Sequence, residues 1–488
     1  MKRKRLLRRL AAAAVCAAVL TSGFTTSSES YIYDSEGNAV YSPTIYNLQQ
    51  VIYGADLPCG EFSGAADLFV DDNDYVYILD QGNQRVVILN ESYGFVKELR
   101  EFHYQEDILT LNGAKGLFYH LEQKLLYISD TENDRILVSD LNGQVERIVY
   151  KPESSLLDAN LSFKPTKLIV DNLGIIFALS ANVNTGAMII FPDDTFGGFF
   201  GANSIKQTAE VIQEFFWRKI FSYSQYNASE SYQATEFNNL FWSDTDRCIY
   251  TVSPSAGTAS SELSKLNAVG SNLLTGTAFS EQDESLEKPP NLVDVTVDKD
   301  GLFSALDSTT GRIYQYDQDC NLLGVFGGIG YTSDTFQTPS AIECNSRKEI
   351  MVLDSQKNSI TVFKQTAYGQ VLQEALEMYN DGLYVESIDQ WNEVLRENAN
   401  LLSAHIGLGK AYMQLGDYRE AMQYFKVGEA KDEYAVAKGR LIGEWVEDHF
   451  SLIALIVVIL FLFIYAYDFL RKQVKRIKTK IQRKGGGR

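Results

Sequence analysis

The residues best placed to do chemistry come as a recurring pair. Asp80 and Arg85 stand five apart, and the spacing returns at Asp130 and Arg135 and at Asp307 and Arg312, with Asp354 a fourth aspartate in the same setting. A carboxylate beside a guanidinium can serve acid–base or ion-binding chemistry, but it is also the material of a structural ion pair. Here the setting favours structure. Each aspartate closes a short apolar run, as in Tyr75-Val-Tyr-Ile-Leu-Asp80 and Leu125-Leu-Tyr-Ile-Ser-Asp130, where its side chain can accept backbone N–H bonds of its own turn. These seven residues are expected to fasten a repeated unit. Other chemistry has little material. There are four histidines, and Cys59, Cys248, Cys320 and Cys344 lie in no Cys-x-x-Cys pair and near no histidine, which disfavours a zinc site. No Gly-x-Ser-x-Gly, His-Glu-x-x-His, P-loop or dinucleotide fingerprint is present. The expected sets of catalytic residues, metal ligands and cofactors are therefore empty.

The elements that must position the pairs are short strands. Runs rich in β-branched and aromatic residues end at Asp80, Asp130, Ser180, Ser253, Asp307 and Asp354, bounded by Asn, Asp and Gly. A second strand follows each of the clearest copies (Arg85-Val-Val-Ile-Leu), a third precedes it (Leu168-Ile-Val-Asp171), and a fourth comes after (Gly94-Phe-Val-Lys-Glu-Leu99). Four strands per unit of about fifty residues predict an all-β, six-bladed propeller over 39–365. The interval from Ser180 to Ser253 is longer than the rest, and Ile205, Ala209, Ile212, Phe215 and Phe216 recur there at helical spacing, so an inserted helix is expected at about 203–223. The last blade lacks an outermost strand, and Ala39–Tyr53 is expected to supply it.

The Asp-x-x-Asn-x-Arg form at Asp80 to Arg85 and Asp130 to Arg135 resembles the NHL-type repeat, and the whole resembles six-bladed propellers of the gluconolactonase-like group. That resemblance implies a fold, and in the enzymes of the group a divalent cation held in the central channel by carboxylate and Asn side chains of the innermost strands. Here the residues opening those strands, such as Ser63-Gly64-Ala65-Ala66, Gly113-Ala114-Lys115, Pro165-Thr166-Lys167 and Pro290-Asn291-Leu292, are small, apolar or basic. Asn112 and Asn291 alone do not supply the several oxygens a hard cation needs. Asp71, Asp171 and Asp298, at the far strand ends, are expected to be turn residues. No metal site and no catalysis are expected.

After Lys364 the pattern turns helical. Gly382, Tyr384, Ser387 and Trp391 return as Gly416, Tyr418, Ala421 and Phe425, each shifted by 34. This is similar to the tetratricopeptide repeat, with two copies and a capping helix over 367–449, although Ala399 and Asp432 stand where proline is usual. The resemblance implies a peptide-binding groove at Leu376, Tyr379, Ile406, Lys410 and Met413; the alternative is a plain stalk.

Lys2-Arg-Lys-Arg5, an apolar run from Leu10 to Leu20 and small residues at Thr21 to Gly23 read as a signal peptide over 1–28. Residues 450–470 predict a transmembrane helix, with Glu444, Glu447 and Asp448 before it and Arg471, Lys472, Lys475 and Arg476 after it. By the positive-inside rule the tail 471–488 is cytoplasmic and everything before it extracytoplasmic. Of 63 acidic residues, 62 lie between Glu29 and Phe450, which leaves that stretch at about −33 and argues against nucleic-acid partners. The four exported cysteines leave room for one or two disulfides.

The chain is thus identified as resembling bacterial membrane-anchored NHL-repeat proteins with tetratricopeptide repeats, some found beside carbohydrate transporter permeases. It is expected to be a non-catalytic, protein-binding scaffold or accessory subunit in the cell membrane, with a membrane-embedded protein partner. The alternatives are a saccharide receptor using funnel aromatics and, less favoured, a metal-dependent lactonase.

Overall fold

The computed structural model describes residues 30–33, 38–154, 157, 160–201, 236–254, 262–274 and 290–485. The expected signal peptide and inserted helix lie outside them. The chain divides into two compact units, Met1–Glu377 with Glu393–Asn400, and Met378–Asn392 with Leu401–Arg488.

The first unit is a six-bladed β-propeller of antiparallel sheets. The innermost strands of blades 1 to 6 are Asp67–Val70, Gly116–His120, Pro165–Val170, Asn239–Ser243, Leu292–Val297 and Pro339–Cys344. Blades 1, 2 and 3 have four strands in chain order, and blade 4 has three among the described residues. In blade 6 the outermost strand is Tyr46–Tyr53, which pairs along its whole length with Ser359–Gln365, from Tyr46 opposite Gln365 to Tyr53 opposite Ser359. The ring therefore closes with a strand from the other end of the propeller. Ala39–Tyr41 does not belong to that strand, contrary to expectation. It forms a hairpin with Tyr31–Tyr33 that extends blade 5, Tyr31 pairing with Val325. Apolar side chains sit mostly between blades. Leu126, Ile128 and Leu137 of blade 2 meet Tyr77, Leu79 and Ile88 of blade 1 in one such layer, and Ile78 and Val87 of blade 1 meet Leu353 and Val362 of blade 6 in another. Cys59, Cys248, Cys320 and Cys344 are all free thiols.

The strand-end aspartates do more than close their own turns. Asp80 Oδ1 accepts the Ser63 N–H at 2.7 Å, Asp130 that of Asn112 at 2.7 Å, Asp307 that of Asn291 at 2.8 Å, and Asp354 Oδ2 that of Gln337 at 2.6 Å. In blade 3 the Ser180 hydroxyl accepts the Lys164 N–H at 2.9 Å. Each bond ties the end of the second strand to the chain entering the innermost one, sixteen to eighteen residues upstream. Arg85 Nε lies 2.7 Å from Asp80 with both side chains buried, and its remaining N–H groups reach Glu98 and the Cys59, Gly60 and Glu61 carbonyls. Arg135 pairs with Asp130 at 2.8 Å in the same way. Blade 5 departs from the pattern. Asp307 Oδ2 accepts from the Thr310 hydroxyl, and Arg312 instead donates to the Tyr31 hydroxyl at 2.9 Å and lies over its ring, because the added hairpin brings Tyr31 there.

Helix α1 (Ala367–Asn380) begins in the propeller unit. Thr366 Oγ1 donates to the Thr44 carbonyl at 2.8 Å, and a Cβ on Gly369 would meet the Ile45 carbonyl at 2.4 Å, so only glycine lets the helix lie this close. Gln373 Nε2 donates to Asp300 at 2.6 Å and to Asp298 at 3.2 Å. The propeller unit therefore extends past its last strand to Glu377. It also takes in the end of α2 (Ile388–Glu397) and the residues after it, where Asn398 donates to Ser42 Oγ at 3.0 Å.

The second unit is helical, with α3 (Leu402–Leu415), α4 (Tyr418–Val427), α5 (Lys431–Asp448) and α6 (Phe450–Gly485). The ring of Phe425 fills the space a Cβ on Gly409 would occupy, at 2.5 Å, and Trp391 does the same at Gly407. Gly382 and Gly416 have a different role. Their φ values are +77° and +80°, and matched hydrogen bonds, Leu383 N–H to the Met378 carbonyl and Asp417 N–H to the Tyr412 carbonyl, end α1 and α3 alike. Nothing lies within 4 Å of a Cβ at either position, so the requirement is backbone conformation and not room between helices. Helix α6 is long and apolar enough over Phe450–Ile477 to cross a membrane, by length and composition, and it runs on through the basic segment to Gly485.

Replacing Gly416 with valine should cost about 1–2 kcal/mol through the left-handed backbone alone. Limited proteolysis is expected to cut faster within α3 and α4 while the propeller strands keep their resistance; loss of propeller resistance would contradict two separate units.

Candidate functional site

The innermost strands share one register. Counting four residues back from Asp71, His120, Asp171, Ser243 and Asp298 gives Asp67, Gly116, Lys167, Asn239 and Asp294. A polar residue thus stands at one blade position in blades 1, 3, 4 and 5. In blade 2 a Cβ on Gly116 would lie 2.4 Å from the Thr166 carbonyl of blade 3, so the position is glycine. Blade 6 adds Glu343. Asp67, Asp294 and Glu343 are buried on the inner wall of a cavity of about 510 Å³ along the propeller axis, to which all six blades contribute. It opens where the innermost strands end, lined by Asp72, Glu122, Asn172, Asp244, Lys299 and Ser346.

These axial groups staple strands that share no sheet. Asp67 Oδ2 accepts the Leu117 N–H of blade 2 at 2.8 Å, and Asp294 Oδ2 accepts the Ile342 N–H of blade 6 at 2.8 Å. Asn239 donates to Asp294 Oδ1, which also accepts the Val295 N–H at 2.8 Å. Lys167 reaches Asp67 Oδ1 as an ion pair. Glu343 Oε2 accepts from the Thr296 hydroxyl at 3.1 Å. Burial dominates their proton affinity. It lifts the Asp67 carboxyl above the usual range despite Lys167, and pushes Asp294 up to about 7. Burial, and then the Asp294 charge, hold the Glu343 carboxyl well above the usual range as well.

The divalent cation implied by the family resemblance does not fit this donor set. Both oxygens of Asp67 and both of Asp294 already accept N–H bonds, Asn239 presents its NH₂ side, and the Lys167 ammonium stands within the cluster and would repel a cation. Among the described residues no three His, Cys, Asp or Glu side chains stand close enough to hold a metal ion. Asp71, Asp171 and Asp298 each accept two backbone N–H bonds of their own turns, as expected. His120 is tied to the Asp171 carbonyl and the Gln123 N–H.

Of the expected groove residues, Leu376 belongs to the propeller unit and Tyr379, Ile406, Lys410 and Met413 to the helical unit. Leu376 is buried in the propeller unit. In the helical unit Lys410 Nζ lies 4.7 Å from the centre of the Tyr379 ring, Met413 packs beside Ala421, Phe425 and Ala437, and Ile406 lies where a Cβ on Gly428 would be. Asp67, Asn239, Asp294 and Glu343 lie between the residues that open the innermost strands and the turn residues that end them, where composition alone does not single them out. The shared register of Asp67-Leu-Phe-Val-Asp71, Lys167-Leu-Ile-Val-Asp171 and Asp294-Val-Thr-Val-Asp298 was the signal that could have found three of the axial groups.

No protein-family model matches the chain, and neither does any curated protein. Solved structures similar to it include virginiamycin B lyase from Staphylococcus aureus, 10% identical with a TM-score of 0.41 over 65% of this chain and 99% of that one. A gluconolactonase from Xanthomonas campestris is 13% identical, with a TM-score of 0.43 over 70% and 96%. A protein of unknown function from Bacteroides thetaiotaomicron gives 13%, 0.43, 70% and 91%. At these values the likenesses carry no argument about activity; the propeller rests on its own strand pairing.

Because Asp294 titrates higher folded than unfolded, the folded state holds an extra proton between about pH 4 and 7. Its stabilising contribution is complete below pH 4 and is lost as pH rises through 7. Asp294→Asn should flatten the fall in stability between pH 5 and 7 by up to about 1.4 kcal/mol per pH unit. Denaturant unfolding of the full-length protein in detergent across that range checks this; an unchanged slope would contradict it.

Proposed function

We propose that the chain is a non-catalytic, extracytoplasmic scaffold or accessory subunit of a cell-membrane complex, held by α6 with its basic end in the cytoplasm. In this reading the blades are NHL-type repeats, the helices after them are tetratricopeptide repeats, and the partner is a membrane-embedded protein such as a carbohydrate transporter permease. The observation that carries it is the axial donor set. The residues that would perform chemistry in a propeller channel are here committed to backbone N–H groups and to Lys167, a use that holds blades together. The apolar Phe450–Ile477 stretch, followed by Lys and Arg, supports anchoring and orientation. The lactonase reading loses ground because the cluster has no free set of oxygens for a hard cation. A receptor reading keeps one observation in its favour, the cavity with the half-buried rings of Phe69, Phe118 and Trp242 at its wall.

Mild crosslinking in native membranes, followed by purification of the full-length chain and mass spectrometry, is the test. An integral-membrane companion in stoichiometric yield is expected. Recovery of the protein alone would count against the scaffold and favour the receptor.

A further inference from the structure

Helix α5 has two apolar faces, and the helical unit covers one of them. Ala437 is buried against Ala421 and Phe425 of α4, with Tyr434 beside it. On the opposite side Ala435, Gly439, Ile442 and Val446 form an exposed stripe, while Arg440, Glu444, Glu447 and Asp448 lie off it. Gly439 and Gly443 add a second observation. Neither has a positive φ, and a Cβ on either would meet nothing within 4 Å. Neither the backbone nor packing inside the helical unit therefore calls for glycine, which weakens a helix interior relative to alanine. Glycine at such a place lets a second helix come close.

The stripe keeps an alternating spacing of four and three residues, and that spacing continues beyond the apolar span. One residue, His449, separates α5 from α6, and helical bonds run through it. Its N–H reaches the Trp445 carbonyl at 3.1 Å, and its carbonyl accepts the Ile453 N–H at 2.9 Å. His449 falls on the seam itself, with Nδ1 tied back to the Trp445 carbonyl at 2.9 Å. Counting on by fours and threes brings the seam to Leu470, Val474, Ile477 and Ile481, which include every Val, Ile and Leu from 470 onward. Leu470, Val474 and Ile477 are exposed, and Lys472, Lys475 and Arg476 lie off the seam. The stretch between the two flanks is apolar on every side, so the seam shows in the flanks alone. Spacing of this kind kept over about seven heptads is the pattern of a left-handed coiled coil.

One partner must therefore match the seam at two fixed depths, one on each side of the bilayer. A second copy of the chain does so without further conditions. All inserted copies run in one direction, so their α5 and α6 helices stand parallel at the same depth, and about a twofold axis each seam residue faces its own equivalent. Lys438 and Arg471 flank the seam, where long stems cover apolar surface and carry the charge outward.

We propose that α5 and α6 pair in parallel with the same helices of a second copy, through the seam over 435–481, as a coiled-coil dimer that crosses the membrane. The dimer rests on α6 crossing the membrane, as in the function proposed above, and is independent of the scaffold role.

Disulfide crosslinking of the full-length chain in native membranes tests the seam on both sides. Val446→Cys and Val474→Cys stand on it, and Glu444→Cys and Lys472→Cys, on the far face of the same helices, are the controls; all four positions are exposed. The unmodified chain, with its own cysteines, sets the background. After mild oxidation and non-reducing electrophoresis, the seam variants should shift from the mass of one chain to that of two, and the controls should not. A membrane-impermeant maleimide on intact cells checks the crossing separately. Above the unmodified chain, Val446→Cys should be labelled at once and Val474→Cys only after permeabilisation. Labelling of both without permeabilisation would overturn the crossing and the dimer together. Labelling from two sides, with the seam variants crosslinked no more than the controls, would overturn the dimer alone. A crosslinked band of any other mass would place a different protein on the seam and overturn it as well.

Discussion

The pairing of Tyr46–Tyr53 with Ser359–Gln365 is the interaction on which the rest of the structure depends. Six radial sheets in a row would leave two open ends, and each blade buries its apolar faces only against its neighbours. Joining the last blade to a strand from before the first turns a row into a ring and places every inter-blade layer between two sheets. The cost is the loop-closure entropy of the whole propeller, which grows only slowly with length. The same pairing fixes where the helical region begins. The chain leaves blade 6 at Gln365, beside the entering strand, so Thr366 meets Thr44 and Gly369 meets Ile45. Asn398 joining Ser42 extends that attachment. Helix α1 is therefore part of the propeller before it is part of anything else.

Closure at the rim leaves the axis to be organised. Innermost strands of adjacent blades share no ladder, and without further bonds their N–H groups would face one another across the channel. Asp67, Asn239 and Asp294 link these strands, with Lys167 setting the charge. Buried carboxylates are costly when ionised, and the result is a floor that holds protons tightly. Stability and channel charge are thus coupled through the same side chains.

Much of the propeller was readable because its physical cause is local. Alternating apolar runs ending in Asp, at near-constant spacing, specify strands and turns directly, and the need for closure pointed to the segment before the first blade. What was missed depends on long-range geometry. Tyr31–Tyr33 is too short to announce itself, yet it adds to blade 5 and draws Arg312 away from Asp307. The repeat made Leu376 look like a groove residue, whereas it is buried within the unit that carries the propeller. Gly382 and Gly416 were visible as repeated glycines, but the reason for them is a positive φ and not helix contact. The axial carboxylates were hidden because they lie one or two residues past the strand openings, where register rather than composition reveals the channel.

Hydrogen–deuterium exchange on the full-length protein in detergent tests ring closure most directly. The account predicts that amides of 46–53 exchange as slowly as those of 359–365, and that both speed up together when Val51 is replaced by proline. Fast exchange across 46–53 beside a protected 359–365 would contradict it, because blade 6 would then stand complete without the strand that is said to close the ring.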